Sequence, residues 1–72
     1  MYKVSVKLYK RTTNELIDEL SLEHAEYGNA FNQFTKWVKM YSLAIAVGGN
    51  GKIEITVRSG FDLYNSFIAT VL

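Results

Sequence analysis

The sequence predicts an α+β fold with the element order ββαββα. Two β-hairpins are expected to form one four-stranded sheet, with a long helix packed on one face and a short helix at the C-terminus. Two observations lead to this prediction. Residues 2–11 and 52–58 alternate polar and apolar side chains with the period of two that is typical of half-buried strands. Between them, residues 27–41 place large apolar side chains on one helical face, as expected of a helix that covers a core.

The first hairpin is expected from residues 2–11 and 15–20, joined by the loop Thr12-Thr13-Asn14. Asparagine tolerates the left-handed backbone conformation that the last position of a three-residue hairpin loop requires. The register that this loop implies pairs Arg11 with Glu15, Tyr9 with Ile17, Lys7 with Glu19, and Val6 with Leu20. Asp18 is the misfit, because this register turns it inward beside Leu8. We therefore expect Asp18 near a sheet edge or at a bulge.

Residues 12–20 also permit a helical interpretation. Thr12 and Glu15 have the spacing of a capping box, and three apolar residues of the segment have helical spacing: Leu16, Ile17 and Leu20. The strand interpretation is preferred because one hairpin register explains more of the residues.

The central helix is predicted over residues 22–40, with Ser21 as its N-cap. Seven side chains fall within an arc of roughly 120°, the width of a core-facing stripe: Tyr27, Ala30, Phe31, Phe34, Trp37, Val38 and Tyr41. Residues 22–26 are out of phase with this stripe, and Gly28 costs about 1 kcal/mol inside a helix. That first segment is therefore either an overhanging turn of the helix or a separate short turn.

The second hairpin is predicted from the alternating segments 43–47 and 52–58. They flank Gly48-Gly49-Asn50-Gly51, a strong turn signal, with Gly51 expected in the left-handed conformation. The inward side chains of this hairpin are then Leu43, Ile45, Val47, Ile53, Ile55 and Val57. Ala44 and Ala46 are expected on the outer face of the sheet.

The C-terminal segment 61–72 follows a strand break at Ser59-Gly60. Five side chains share a helical face, which predicts the short C-terminal helix: Phe61, Tyr64, Phe67, Ile68 and Val71. The run 67–72 is also rich in strand formers, so a fifth strand at the C-terminus is the alternative.

Composition excludes several classes of protein. The chain has 72 residues and is expected to form a single small α+β domain over residues 1–72. Without cysteine it forms no disulfide or thiolate metal site, and its one histidine, His24, cannot build a histidine-rich site. The formal net charge of +1 implies no bulk attraction to nucleic acid or membrane. No apolar run approaches the roughly 18 residues of a membrane span, so we expect a cytoplasmic protein.

No group of residues predicts catalysis. His24 has no cysteine to activate, and the serines lack the G-x-S-x-G context of a nucleophile elbow. Acidic residues gather in 15–26, but Glu15 and Glu19 already face basic partners across the first hairpin. The glycine-rich segment 48–51 is not a phosphate-binding loop, because Lys52 leads into a strand rather than a helix. The sequence therefore predicts a non-enzymatic protein that needs no cofactor or metal.

The strongest functional prediction is a protein-binding surface. Five tyrosines, four phenylalanines and one tryptophan are many for a core of this size, and aromatic residues and methionine are enriched at interfaces. The candidates are Leu22, Trp37 and Met40 on one flank of the helix, with Ala44 and Ala46 on the outer sheet face. We expect a regulator or inhibitor that binds another protein or pairs with itself as a homodimer. A short chain without a cofactor would suit a phage or other mobile element.

The alternative prediction is binding of single-stranded nucleic acid on the outer sheet face. Basic side chains with an interleaved aromatic ring contact phosphates and stack on bases. The candidates are Lys3, Lys7, Tyr9, Arg11, Lys52 and Arg58. Against this prediction, Glu19 and Glu54 dilute the positive charge, and Tyr9 is the one ring expected to be exposed there.

Overall fold

The computed structural model describes residues 1–10, 12–48 and 51–70, and gives only the backbone for residues 42–48 and 70. The elements follow the order ββαββ: β1 (Tyr2–Lys10), β2 (Leu16–His24), α1 (Tyr27–Gly48), β3 (Gly51–Ser59) and β4 (Asp62–Thr70). The predicted α+β class is therefore confirmed, with a four-stranded antiparallel sheet and a helix.

The strands lie in the order β2-β1-β3-β4, and every neighbouring pair is antiparallel. β1 and β3 are the central strands, whereas β2 and β4 form the two edges. The chain passes from the edge strand β2 to the central strand β3 through α1. Both hairpins thus contribute one central and one edge strand.

The core lies between α1 and the two central strands. Its fully buried apolar residues are Val4, Val6, Ala30, Trp37, Ile53, Ile55 and Val57. Partly buried residues pack around them: Tyr2, Leu8, Phe34, Val38, Tyr41, Phe67 and Ala69. Burying a large apolar side chain contributes about 1.5–3 kcal/mol before entropy is counted. Five of the seven residues of the predicted helical stripe supply the α1 side of this core, whereas Tyr27 and Phe31 are exposed.

The first hairpin has the predicted register over most of its length. Lys7 pairs with Glu19, and Asp18 lies opposite Leu8 on an edge strand beside a bulge, as expected. Asn14 has a φ of 59°, which confirms the left-handed position of the loop. The bulge shifts the register so that Tyr9 pairs with Leu16, and the predicted pairing of Tyr9 with Ile17 is wrong. Arg11 lies outside the described residues.

The predicted start of the helix is wrong. Residues 22–24 belong to β2, where Leu22 pairs with Val4 and His24 pairs with Tyr2, and α1 begins at Tyr27. The N-cap signal of Ser21 is local. It is outweighed by the hydrogen bonds and side-chain contacts that β1 offers over its whole length.

The predicted strand over residues 43–47 is also wrong, because α1 continues to Gly48. Extending a formed helix adds one hydrogen bond per residue and needs no new nucleus. Gly51 is the first residue of β3 and does not close a hairpin. A Cβ at Gly51 would lie 3.0 Å from the carbonyl oxygen of Tyr9, so glycine permits the close approach of β3 to β1. Residues 49–50 lie outside the described residues.

The predicted C-terminal helix is wrong as well. Residues 62–70 form β4, which pairs along β3 and brings Phe67 opposite Ile55. The turn between them has two residues, and Gly60 takes a φ of 60° at its first position, as a type II′ turn requires. The alternative interpretation of this segment as a strand is correct in kind, but it is the fourth strand rather than a fifth. Residues 71–72 lie outside the described residues.

Candidate interaction surfaces

The outer face of the sheet carries a row of small hydroxyl side chains. Residues paired across antiparallel strands point to the same face, and the observed register aligns one hydroxyl residue from each strand: Ser21, Ser5, Thr56 and Ser66. We call these four residues the hydroxyl row. Ser5 Oγ and Ser21 Oγ are 3.1 Å apart and share a hydrogen bond. Ser5 and Thr56 are buried although none of the described helices and strands covers this face, because longer side chains flank them on both sides.

The structure brings the nucleic-acid candidates together on this outer face. Lys3 pairs with Arg58, and Tyr9 pairs with Lys52, whose Nζ lies 5.2 Å from the centre of the Tyr9 ring. Lys7 lies on the same face between β2 and β3. The two β1 lysines on this face lie beside acidic residues, with Glu19 and Glu54 beside Lys7 and Glu23 beside Lys3. The face therefore alternates in sign instead of forming a continuous basic patch. Arg11 falls outside the part of the chain that is described.

The protein-interface candidates do not form one surface. Trp37 is only 4% exposed and belongs to the core, so its expected place on an exposed flank is wrong. Ala44 and Ala46 lie in α1 and not on the outer sheet face, and their side chains are outside the described residues. Leu22 and Met40 are both exposed.

Met40 and Phe31 lie on opposite sides of α1. Phe31 marks the side of α1 that faces β4, because its ring contacts Tyr27, and the Tyr27 ring contacts Tyr64 of β4. Met40 is about half a turn of the helical wheel away from Phe31, so it lies on the side of α1 that is turned away from β4.

The β2 edge is the first exposed apolar surface. Four aliphatic side chains of this nine-residue strand are exposed: Leu16, Ile17, Leu20 and Leu22. A shallow cleft of about 40 Å³ lies between β2 and α1, lined by Val6, Leu8, Asp18, Glu19, Leu20 and Tyr41. The helix therefore leaves the apolar inner side of β2 only partly covered.

The second exposed apolar surface is a cluster of aromatic rings at the start of α1. The rings of Tyr2, Tyr27 and Tyr64 lie 5.4–5.5 Å apart, centre to centre, and the Tyr27 hydroxyl donates a 2.6 Å hydrogen bond to Oδ1 of Asn65. Phe31 extends the cluster at 6.0 Å from Tyr27. These ring contacts join three distant parts of the chain.

Phe61 lies at the same end of the molecule, at the tip of the β3–β4 turn, and its side chain is fully exposed. The turn is held close to the chain start, because the Ser59 hydroxyl donates a hydrogen bond to the carbonyl of Met1. We call Tyr27, Phe31, Phe61 and Tyr64 the aromatic pole. Sequence reasoning missed this surface because it assigned Phe61 and Tyr64 to a buried helical face. The signal that identifies it is an aromatic residue directly after Gly60 in a two-residue turn.

Chemical groups for catalysis or metal binding are sparse. The imidazole Nε2 of His24 is shielded from water and has no hydrogen-bond partner among the described residues. Across residues 1–10, 12–48 and 51–70, no three His, Asp or Glu side chains come together in a way that would hold a metal ion. Within the same ranges, no helix combines the length and apolarity needed to span a bilayer.

Comparison with protein-family models, with curated proteins and with solved structures finds no match for this chain. The functional conclusion therefore depends on the surfaces described above.

Proposed function

We propose that the protein is a non-enzymatic interaction module that regulates or inhibits a protein partner by covering part of the partner's surface. The aromatic pole is the binding surface, and the exposure of Phe61 is the observation that supports this most directly. Folding does not require a phenylalanine at that position, because polar residues suit such turns. A ring left in water forgoes the 1.5–3 kcal/mol or so that burial of a large apolar side chain contributes.

The surroundings of Phe61 suit an interface anchor. Aromatic residues that insert into a partner's pocket dominate the binding energy of many interfaces. The β3–β4 register and the hydrogen bond from Ser59 to Met1 hold the turn in place, so little conformational entropy would be lost on binding. The partly exposed rings of Tyr27, Phe31 and Tyr64 add further apolar area at the same end of the molecule.

The size of the chain and its lack of cofactor chemistry suit a regulator or inhibitor encoded by a phage or other mobile element. On this proposal the protein acts in the cytoplasm of a host cell and needs no cofactor.

A comparative pull-down tests the proposed surface. Immobilised wild-type protein, Phe61→Asn and Ile68→Asn are incubated with host lysate that has been treated with nuclease. Ile68 is the matched control, because it is an exposed apolar residue of the same hairpin on the outer sheet face. We expect the same proteins to bind the wild type and Ile68→Asn, and these proteins to be missing from the Phe61→Asn sample. The purified partner should bind Phe61→Asn at least tenfold more weakly than the wild type, which corresponds to about 1.4 kcal/mol. Loss with Ile68→Asn and retention with Phe61→Asn would show that the proposed surface is wrong.

A second candidate function is binding of single-stranded nucleic acid on the outer face of the sheet. The observation that favours it is the placement of Lys3, Lys7, Tyr9, Lys52 and Arg58 on one face of the sheet, with Lys52 Nζ 5.2 Å from the centre of the Tyr9 ring. We expect micromolar binding of a fluorescent oligonucleotide that weakens steeply with added salt, because phosphate contacts release counterions. Arg58→Glu should weaken it and Phe61→Asn should not. A flat titration at low salt would remove this candidate.

A further inference from the structure

We infer that a second copy of this chain pairs with the free edge of β2, so that two four-stranded sheets join into one continuous antiparallel sheet. The two copies are related by a twofold axis at Ser21. This surface is separate from the aromatic pole, so the inference does not depend on the proposed function.

The β2 edge is open to pairing over its second half. β2 pairs with β1 on one side, and the backbone groups on its other side have no strand partner among the described residues. Natural edge strands are protected by bulges, inward-pointing charges, lysine or proline. In β2 the bulge and the inward-pointing Asp18 both lie within residues 16–18. Residues 19–24 have neither device, and they contain no lysine or proline.

Self-pairing about Ser21 gives complementary contacts on the inner side of the sheet. Leu20 of one copy lies opposite Leu22 of the second copy, and the symmetry repeats this contact. Both leucines are exposed in the single chain, so the pairing removes them from water. Asp18 lies opposite His24 of the second copy, which places a carboxylate and an imidazole on facing positions of the new strand pair.

Neighbouring registers give poorer contacts. Pairing about Leu20 would set Asp18 against Leu22 of the second copy, and a carboxylate held against an aliphatic side chain loses hydration without a partner. Pairing about Leu22 would set Leu20 against His24 and leave Asp18 without a basic neighbour. The charges on the inner side therefore favour the axis at Ser21.

The outer side of the sheet is consistent with the same axis. Ser21 meets Ser21 of the second copy, which continues the hydroxyl row across the joined sheet. Glu19 lies opposite Glu23 of the second copy, and this like-charge contact opposes pairing. Each of these carboxylates already has a lysine beside it on β1, Lys7 for Glu19 and Lys3 for Glu23, and both face solvent, where screening weakens the repulsion.

Cysteine cross-linking tests the pairing and its register. The chain contains no cysteine, so a single introduced thiol reports one contact. Directly opposed residues of antiparallel strands have Cα atoms about 4.5–5.5 Å apart, within the range that a disulfide spans. We expect Ser21→Cys to form a covalent dimer on mild oxidation. Ser66→Cys is the matched control, because Ser66 belongs to the same hydroxyl row but lies on the β4 edge, and we expect it to stay monomeric on a denaturing gel.

Light scattering on the wild-type chain and on Leu22→Lys completes the test. We expect a dimeric mass for the wild type and a monomeric mass for Leu22→Lys, with unchanged circular dichroism because Leu22 is exposed. Phe61→Asn should remain dimeric, which separates this inference from the proposed function. A wild-type monomer at millimolar concentration, or cross-linking of Ser66→Cys but not of Ser21→Cys, would overturn the inference. If Leu22→Lys fails to fold, the pair of cysteine variants still decides the outcome.

Discussion

The central and edge strands of the sheet use similar side chains in opposite ways. β1 and β3 bury Val4, Val6, Ile53, Ile55 and Val57, each at most 5% exposed. The edge strands leave aliphatic and aromatic residues at least 43% exposed: Leu16, Ile17, Leu20 and Leu22 on β2, and Leu63, Tyr64 and Ile68 on β4. The difference comes from position, since α1 packs mainly over the inner face of the two central strands, and Leu63 and Ile68 lie on the outer face of β4. Stability is therefore expected to reside in the centre and binding at the edges and the aromatic pole.

The largest expected loss of stability is at Trp37. It is compared with Met40, which the sequence placed on the same flank of α1. Trp37→Ala should lower the free energy of unfolding by about 3–5 kcal/mol, because it leaves a large cavity in the core. Met40→Ala should change it by no more than about 0.5 kcal/mol, because Met40 is exposed. Urea denaturation measures both. Equal losses would mean that the helix is rotated relative to the described structure.

The same residue type can be compared directly in a central and an edge strand. Ile55 is fully buried in β3, whereas Ile68 in β4 is 58% exposed. Ile55→Ala should cost about 2–5 kcal/mol, and Ile68→Ala about 0.5 kcal/mol or less. Thermal unfolding of the two variants measures the difference. A loss at Ile68 as large as that at Ile55 would contradict the contrast between centre and edge.

Two glycines with different backbone conformations should respond to alanine with opposite changes in stability. Gly60 has a positive φ, and a non-glycine residue pays roughly 1–2 kcal/mol to adopt it, so Gly60→Ala should destabilise the protein by about that amount. Gly28 lies in the first turn of α1 with open space around it. Gly28→Ala should stabilise by up to about 1 kcal/mol, because alanine favours helix. Chemical denaturation of both variants checks the opposite signs.

The smallest expected effect concerns the hydrogen bond between α1 and β4. Tyr27→Phe removes the hydroxyl that donates to Asn65 and should cost about 0.5–1.5 kcal/mol, toward the lower end because the site is exposed. A double-mutant cycle with Asn65→Ala isolates this contact. If the two losses of stability are additive, the hydrogen bond contributes nothing to the free energy of unfolding.

The sequence predicted some elements well because their signals were unambiguous. The alternation of β1 and β3, the left-handed Asn14 and the stripe around Trp37 each have one physical explanation, and each is confirmed. Residues 43–47 and 61–72 contain closely spaced apolar residues that fit the period of a helix as well as that of a strand. The strand predicted for the first segment and the helix predicted for the second are both wrong. Lys3, Lys7, Tyr9, Lys52 and Arg58 lie on the outer face as predicted, because their placement depended only on the alternation of β1 and β3. The predicted outer-face positions of Ala44 and Ala46 are wrong, because both residues lie in α1.

The candidate interface was only partly accessible to sequence reasoning. Leu22 and Met40 are exposed, but Leu22 lies in β2 instead of on the helix, and Trp37 is buried. The aromatic pole could not be predicted, because Tyr2, Tyr27 and Tyr64 meet only through the packing of β1, α1 and β4. Sequence periodicity describes one element at a time and does not report which elements meet.

The amino-acid pattern alone determined the α+β class, the helix that fills the core and the polar character of the outer sheet face. Each of these follows from local periodicity, which the backbone geometry of a helix or strand imposes on any chain. Only the tertiary structure decided where the helix ends, that the last segment pairs with β3, and which apolar residues stay in water. Those outcomes depend on competition between distant segments for the same hydrogen bonds and the same buried area.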